Sequence, residues 1–204
     1  MRLSILILTH NRPKLFARCL KSVLSQLPEG VEIIINNDSN DIEEIQHPSV
    51  TYHYNKFSSL CEIYKFLLEQ ATQEYVYFLE DDDYLAKGFF NIELNADLIV
   101  GNYYPTYDTK DVLEYMTLWK TEWLSSDEFT SKINDEHLQL SQHIFKRKKI
   151  LGFEFKMDSN IHNDIRLVRY ASSQSDKIHT LNKVFYYQTI DGGDNISFPK
   201  IAHA

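Results

Sequence analysis

Glu80, Asp81, Asp82 and Asp83 follow one another directly after the apolar run Tyr75-Val76-Tyr77-Phe78-Leu79. Four consecutive carboxylates repel each other, and a fold tolerates that crowding where a cation, a set of donors or open water offsets the charge. Hard oxygen ligands suit Mg²⁺ or Mn²⁺, ions that usually arrive holding a substrate phosphate. An acidic surface turn is the competing reading of any such row. Two further polar stretches also follow apolar runs: Thr9-His10-Asn11-Arg12-Pro13 after Leu3 to Leu8, and Asn36-Asn37-Asp38-Ser39-Asn40-Asp41 after Val31 to Ile35.

The elements that must position these residues show in the periodicity. Leu3 to Leu8, Val31 to Ile35, Val50 to Tyr54, Tyr75 to Leu79 and Asp97 to Gly101 predict five strands. Pro13 opens a helical pattern through Leu15, Cys19, Leu20, Val23 and Leu24 that Pro28-Glu29-Gly30 stops. Leu60, Ile63, Tyr64, Leu67, Leu68 and Ala71 mark one face of a second helix, and Ile165 to Ala171 a third. Strands alternating with helices predict an α/β fold with a mostly parallel sheet flanked by helices, where ligands collect beyond the carboxyl ends of the strands. All three polar stretches fall at that edge.

The chain has 204 residues and 43% hydrophobic content, which favours one compact domain. Its net charge of -8 argues against a surface built as a whole to hold nucleic acid; Lys146-Arg147-Lys148-Lys149 is the one basic run. Cys19 and Cys61 stand in apolar helical patterns without metal-ligand spacing, as expected of reduced core thiols in a cytoplasmic protein. No stretch approaches the roughly 20 apolar residues of a membrane span, and no secretory leader is read at the N-terminus.

In order along the chain, Leu3 to Pro13, Glu32 to Asp41 and Phe78 to Leu85 resemble the nucleotide-binding half of GT-A fold, family 2 glycosyltransferases. Phe145-Lys146-Arg147 with Gly152-Phe153, then Asn163 to Leu167, then Lys177 to Tyr187 resemble the acceptor side. The resemblance implies a GT-A-like (Rossmann-like) single domain over 1–204. About 1–101 would bind the nucleotide sugar, and about 102–204 would hold the acceptor and the catalytic base. It implies transfer of a sugar from a nucleoside diphosphate sugar, a UDP-sugar in most relatives, to an acceptor hydroxyl with inversion. Mn²⁺ or Mg²⁺ would serve as cofactor. An inactive nucleotide-sugar-binding module is the alternative, motivated by Asn37 and Asn163 standing where the family carries acids.

Position by position, Thr9, Asn11 and Arg12 match the loop that touches the nucleotide. Asn37 falls where an aspartate commonly accepts the uracil N3–H; its amide oxygen can accept the same bond, while its nitrogen offers two donors. In the D-x-D-D pattern Asp83 is assigned to metal and Asp82 to ribose or metal, with Glu80 replacing an aspartate. Asp164 matches the general base of the E-D motif, with a helix N-cap as its structural alternative. Asp191, in a glycine-bearing loop, is a further candidate metal ligand, and Lys56 and Lys65 are candidates to face the diphosphate. The acceptor is expected to be a glycan or another hydroxyl compound. A hydroxylated DNA base would require the Lys146–Lys149 run to lie beside the cleft.

Overall fold

β1 (Leu3–Thr9) is buried at every position, and β2 (Val31–Asn37) and β4 (Tyr75–Glu80) nearly so, which near-continuous apolar runs predict for strands covered on both faces. The structure, a computed structural model, describes residues 1–39, 42–106, 119–133, 139–156 and 163–189. α1 (Pro13–Leu24) begins with proline in its first turn, where the missing N–H has no intrahelical partner to lose, and buries Phe16, Cys19, Leu20 and Val23. β3 (Val50–His53) follows β2. α2 (Leu60–Gln70) is capped by the Ser59 hydroxyl accepting from Glu62 N and buries Cys61, Ile63, Leu67 and Leu68.

The second half adds β5 (Tyr84–Leu85), β6 (Leu98–Thr106), β7 (Glu122–Leu124), α3 (Ser126–Lys132), β8 (His143–Lys146), α4 (Arg147–Ile150), α5 (Asn163–Ser173) and β9 (Ile178–Thr189). One sheet runs in the order β3-β2-β1-β4-β8-β6-β9-β5, with β7 also paired to β9. Among the described residues, the pairings of β1 with β2 and β4, of β2 with β3 and of β6 with β9 are parallel, while β5, β7 and β8 run against their neighbours. The expected fifth strand is thus the start of β6, which continues to Thr106.

Two apolar layers sandwich this sheet. Leu3, Ile5 and Ile7 pack with Phe16, Leu20 and Val23 of α1 on one face. Leu6 and Leu8 pack with Ile63 and Leu67 of α2 and with Leu167 and Val168 of α5 on the other. Where β6 meets β9 the register shifts around Gly101, and a Cβ there would come within 2.3 Å of the Phe185 ring, so the bulge needs a glycine for room.

Strand polarity relocates the basic run. Lys146 is paired with Tyr75 at the start of β4, whereas the acids stand at its other end, roughly 17 Å away along the strand. Lys146 and Lys149 pair with Asp97 at 3.2 and 3.4 Å, and Lys149 also with Asp176 at 2.9 Å. The condition for a DNA acceptor, a basic run beside the cleft, is therefore not met: these cations neutralise carboxylates at the opposite rim.

Candidate active site

Parallel pairing places Thr9 opposite Asn37 and Leu8 opposite Glu80, so the ends of β2, β1 and β4 deliver their polar loops to one rim. After β1 the backbone turns through Asn11, which at φ 51 is the one non-glycine residue with positive φ among those described. Arg12 then points into the acidic row. Its Nη1 donates to Asp81 Oδ1 at 3.1 Å and Asp82 Oδ2 at 2.7 Å, with only 8% of the side chain accessible. From α1, Arg18 Nη2 donates to the Asp82 carbonyl and to Thr189 Oγ1, both at 2.6 Å, and its guanidinium lies 4.8 Å over the Tyr84 ring. Thr189 N donates to Asp83 Oδ1 at 2.9 Å, tying the end of β9 to the row. Tyr64 of α2 donates its hydroxyl to Glu80 Oε1 at 2.7 Å.

Burial dominates the proton affinities here. It pushes Glu80 up to about 7 against the hydrogen bond from Tyr64, with Asp82, Asp81 and Asp164 adding to the rise. It pushes Asp81 up to about 6, while Arg12, the Thr9 hydroxyl and the His10 backbone oppose it. Asp83 is raised well above the usual carboxylate range by burial and then by Asp82. Burial first, and neighbouring carboxylates second, thus favour the protonated forms, whereas a bound cation would favour the charged ones.

Asp164, second residue of α5, is close enough for its charge to raise both Glu80 and Tyr64, so the structure brings this residue of the second half to the acidic rim. Its neighbour Asn163 is a structural clasp. The Asn163 amide accepts from Lys156 N at 3.2 Å and Arg166 at 2.8 Å, and donates to the Lys156 carbonyl at 3.0 Å and Cys61 Sγ at 2.9 Å. The Cys61 bond pins the start of α5 to α2, and the Lys156 bonds tie it to the segment that precedes the helix.

At the β2 end, Asn37 is 1% exposed. Its Oδ1 accepts from Ser39 N at 3.0 Å and Ser39 Oγ at 2.7 Å, whereas its buried Nδ2 has no partner among the described residues. Of the two capacities expected of this amide, the oxygen is engaged within its own loop. His10 pairs with Asp38, and Asn11 N donates to Ser39 Oγ at 3.2 Å, joining the first two loops.

Lys65 is not brought to the row by any described contact: its side chain is 66% exposed and reaches Glu69 at 4.0 Å along the helix. Lys56 is likewise exposed. Asp191 lies outside the described residues. Arg18, Tyr64 and Thr189 join the site without a motif in the sequence to mark them. Arg18 carried one faint signal, a charge beside the buried Phe16 and Cys19 positions of α1.

The donor set bears on a metal. Among the described residues no three His, Cys, Asp or Glu side chains form a ready cage. Asp82 Oδ2 and Asp83 Oδ1 are engaged, which leaves each carboxylate a second oxygen. Two carboxylates fit an ion of the Mg²⁺ type that draws its remaining ligands from phosphate and water.

A profile described as Glycosyl transferase family 2 matches residues 4–150. Over 167 aligned positions the chain is 19% identical to Glycosyltransferase GlyA of Streptococcus pneumoniae serotype 4, covering 74% of this chain and 23% of that protein. The fold superposes on the crystal structure of S. aureus TarS 1–349 with a TM-score of 0.72 at 18% identity, over 93% of this chain and 60% of that one. On TarS 1–349 in complex with UDP-GlcNAc the TM-score is 0.71 at 17% identity, over 98% of this chain and 62% of that one. A further TarS 1–349 structure, in complex with UDP, gives 0.71 at 18% identity, over 93% of this chain and 61% of that one. The chain thus spans under a quarter of GlyA and about three fifths of these TarS chains.

Proposed function

The chain belongs to glycosyl transferase family 2, and from that membership we propose that it moves a sugar from a nucleoside diphosphate sugar to an acceptor hydroxyl, with inversion at the anomeric carbon. The observation that carries the reading is the meeting, at one rim of the parallel strands, of Arg12, the acidic row and Asp164. The TarS complexes contain UDP and UDP-GlcNAc, which supports a nucleotide-sugar donor here as well. A uridine nucleotide follows from the family resemblance, and Asn37 bears on that point.

In this reading Thr9, Asn11, Arg12 and Asn37 line the nucleotide cleft. Asp82 and Asp83 would hold Mn²⁺ or Mg²⁺, with Asp191 as a third ligand. The ion would offset the negative charge that grows on the departing diphosphate. Asp164 takes the proton from the acceptor hydroxyl while the hydroxyl oxygen attacks the anomeric carbon opposite the leaving nucleoside diphosphate, whose bond to that carbon breaks. Tyr64 holds Glu80 with a hydrogen bond, and Asn163 fixes the helix end that carries Asp164. Residues 1–101 supply the donor half and 102–204 the acceptor half. The acceptor is a saccharide or other hydroxyl compound; a nucleic-acid acceptor loses its support with the basic run at the far rim.

The test is thermal stabilisation by a panel of nucleoside diphosphates and nucleotide sugars, with Mn²⁺ and with chelator, together with donor turnover, on wild type and Asp164→Asn. Metal-dependent stabilisation in both proteins is expected. Turnover should fall by about 10²–10⁴-fold in the variant alone. Absence of stabilisation by every nucleotide overturns the reading, and stabilisation of the wild type without turnover would favour a binding module.

A further inference from the structure

Both polar groups of the peptide that joins Asp82 to Asp83 are held. The Asp83 N–H donates to the Glu80 carbonyl at 3.2 Å, closing a tight turn through Asp81 and Asp82. The Asp82 carbonyl accepts from Arg18 Nη2 at 2.6 Å and from Thr189 Oγ1 at 2.5 Å. Arg18 Nη2 also donates to that hydroxyl at 2.6 Å, so guanidinium, hydroxyl and carbonyl form a closed triangle. Thr189, itself buried, adds a second hold, because its N–H donates to Asp83 Oδ1 at 2.9 Å.

Like charges this close relax by turning their carboxylates apart unless something fixes the chain between them. The triangle grips that chain by its backbone, and Thr189 engages only one carboxylate oxygen, Asp83 Oδ1. Arg12 engages Asp82 Oδ2 from the other side. Each of the two acids thus keeps a second oxygen while the peptide between them is set by residues that are not ligands themselves. Groups in that position, which orient ligating carboxylates by hydrogen bonds, govern metal affinity by about 10–100-fold.

We propose that Thr189 is a positioning residue for the cation: its hydroxyl fixes the Asp82–Asp83 peptide so that both carboxylates offer their second oxygens to one divalent ion. The inference rests on the metal-dependent reading above. Thr189 carries no charge, so replacing it tests the geometry of the row without altering its electrostatics.

The experiment is thermal unfolding of the wild type, Thr189→Val and Thr189→Ser at a fixed concentration of UDP, CDP, ADP or GDP while Mn²⁺ is titrated, with chelator as the reference. Thr189→Val removes the hydroxyl at nearly constant volume, and Arg18 and the Asp82 carbonyl keep each other as partners. The Mn²⁺ concentration at half-maximal stabilisation is expected to rise about tenfold in Thr189→Val and to return toward the wild-type value in Thr189→Ser. Thr189→Ala gives the same comparison if the valine variant does not fold. A purely structural clamp would instead lower the unfolding temperature in chelator and leave the Mn²⁺ midpoint where it was. That result overturns the inference and leaves the transferase reading intact, as does failure of serine to restore the midpoint. Nucleotide stabilisation of the wild type that Mn²⁺ does not strengthen overturns the metal assignment together with the inference. Absence of stabilisation by every nucleotide overturns the transferase reading as well.

Discussion

Without the Arg12 guanidinium, Asp81 and Asp82 would stand together inside the fold without the ion pairs that now hold them. The three side chains are 8%, 3% and 12% exposed, so the pair is a buried one, and breaking it by removing one partner leaves uncompensated charge. Arg12→Met is expected to destabilise the metal-free protein by about 3 kcal/mol or more. Mn²⁺ should recover more stability in the variant than in the wild type, because the ion would supply the missing positive charge; urea denaturation with and without the metal measures both. The identity of these residues was plain in the sequence, but their pairing was not. Arg12 lies 69 and 70 positions from its partners, and Arg18 lies 171 from Thr189. The local Asn37–Ser39 contact, by contrast, is the kind of turn bond that an Asn-rich loop invites.

At the scale of the elements, β8 starts with His143, fully buried, whose Nδ1 is bonded to the Gln139 carbonyl at 2.9 Å. Burial lowers its pKa from 6.5 to about 4. The folded state keeps this ring neutral while the unfolded chain protonates below about 6.5, so its contribution to stability is present above that pH and is lost as pH falls toward 4. The loss amounts to roughly 3 kcal/mol. Glu80 and Asp81, with folded values raised to about 7 and about 6, act in the opposite direction over an overlapping window. The quantity to measure is therefore the difference between wild type and His143→Asn: the variant should lose less stability on acidification from pH 6.5 to 4. Equal slopes would show that the ring does not stay neutral. The helices and the parallel strands were readable because their apolar periods are local. The antiparallel insertion of β8 between β4 and β6 was not, since no local pattern states which strands will be neighbours.

For the whole molecule, one sheet separates two rims of different charge chemistry: crowded carboxylates at one, and Lys146, Lys149, Asp97 and Asp176 at the other. Asp97 is 11% exposed and the two lysines 23% and 20%, so the cluster is partly shielded from water. Lys146→Gln with Lys149→Gln is expected to cost about 1 kcal/mol of stability and to leave nucleotide affinity unchanged. Denaturation and nucleotide titration of the same preparation check both halves of that statement. A drop in nucleotide affinity would mean that the two rims communicate.

The chain's own order of residues determined that apolar runs become strands, that amphipathic segments cover them, and that carboxylates and short polar loops end those strands. Each of these follows from neighbours within a few positions. Only the tertiary structure decided that Arg12 neutralises Asp81 and Asp82, that Asp164 comes to the acidic rim, that the basic run sits at the far one, and that Asn37 is buried with its amide oxygen held by Ser39. Those outcomes depend on strand order, strand polarity and the desolvation of charges, which arise when segments far apart in sequence are packed together.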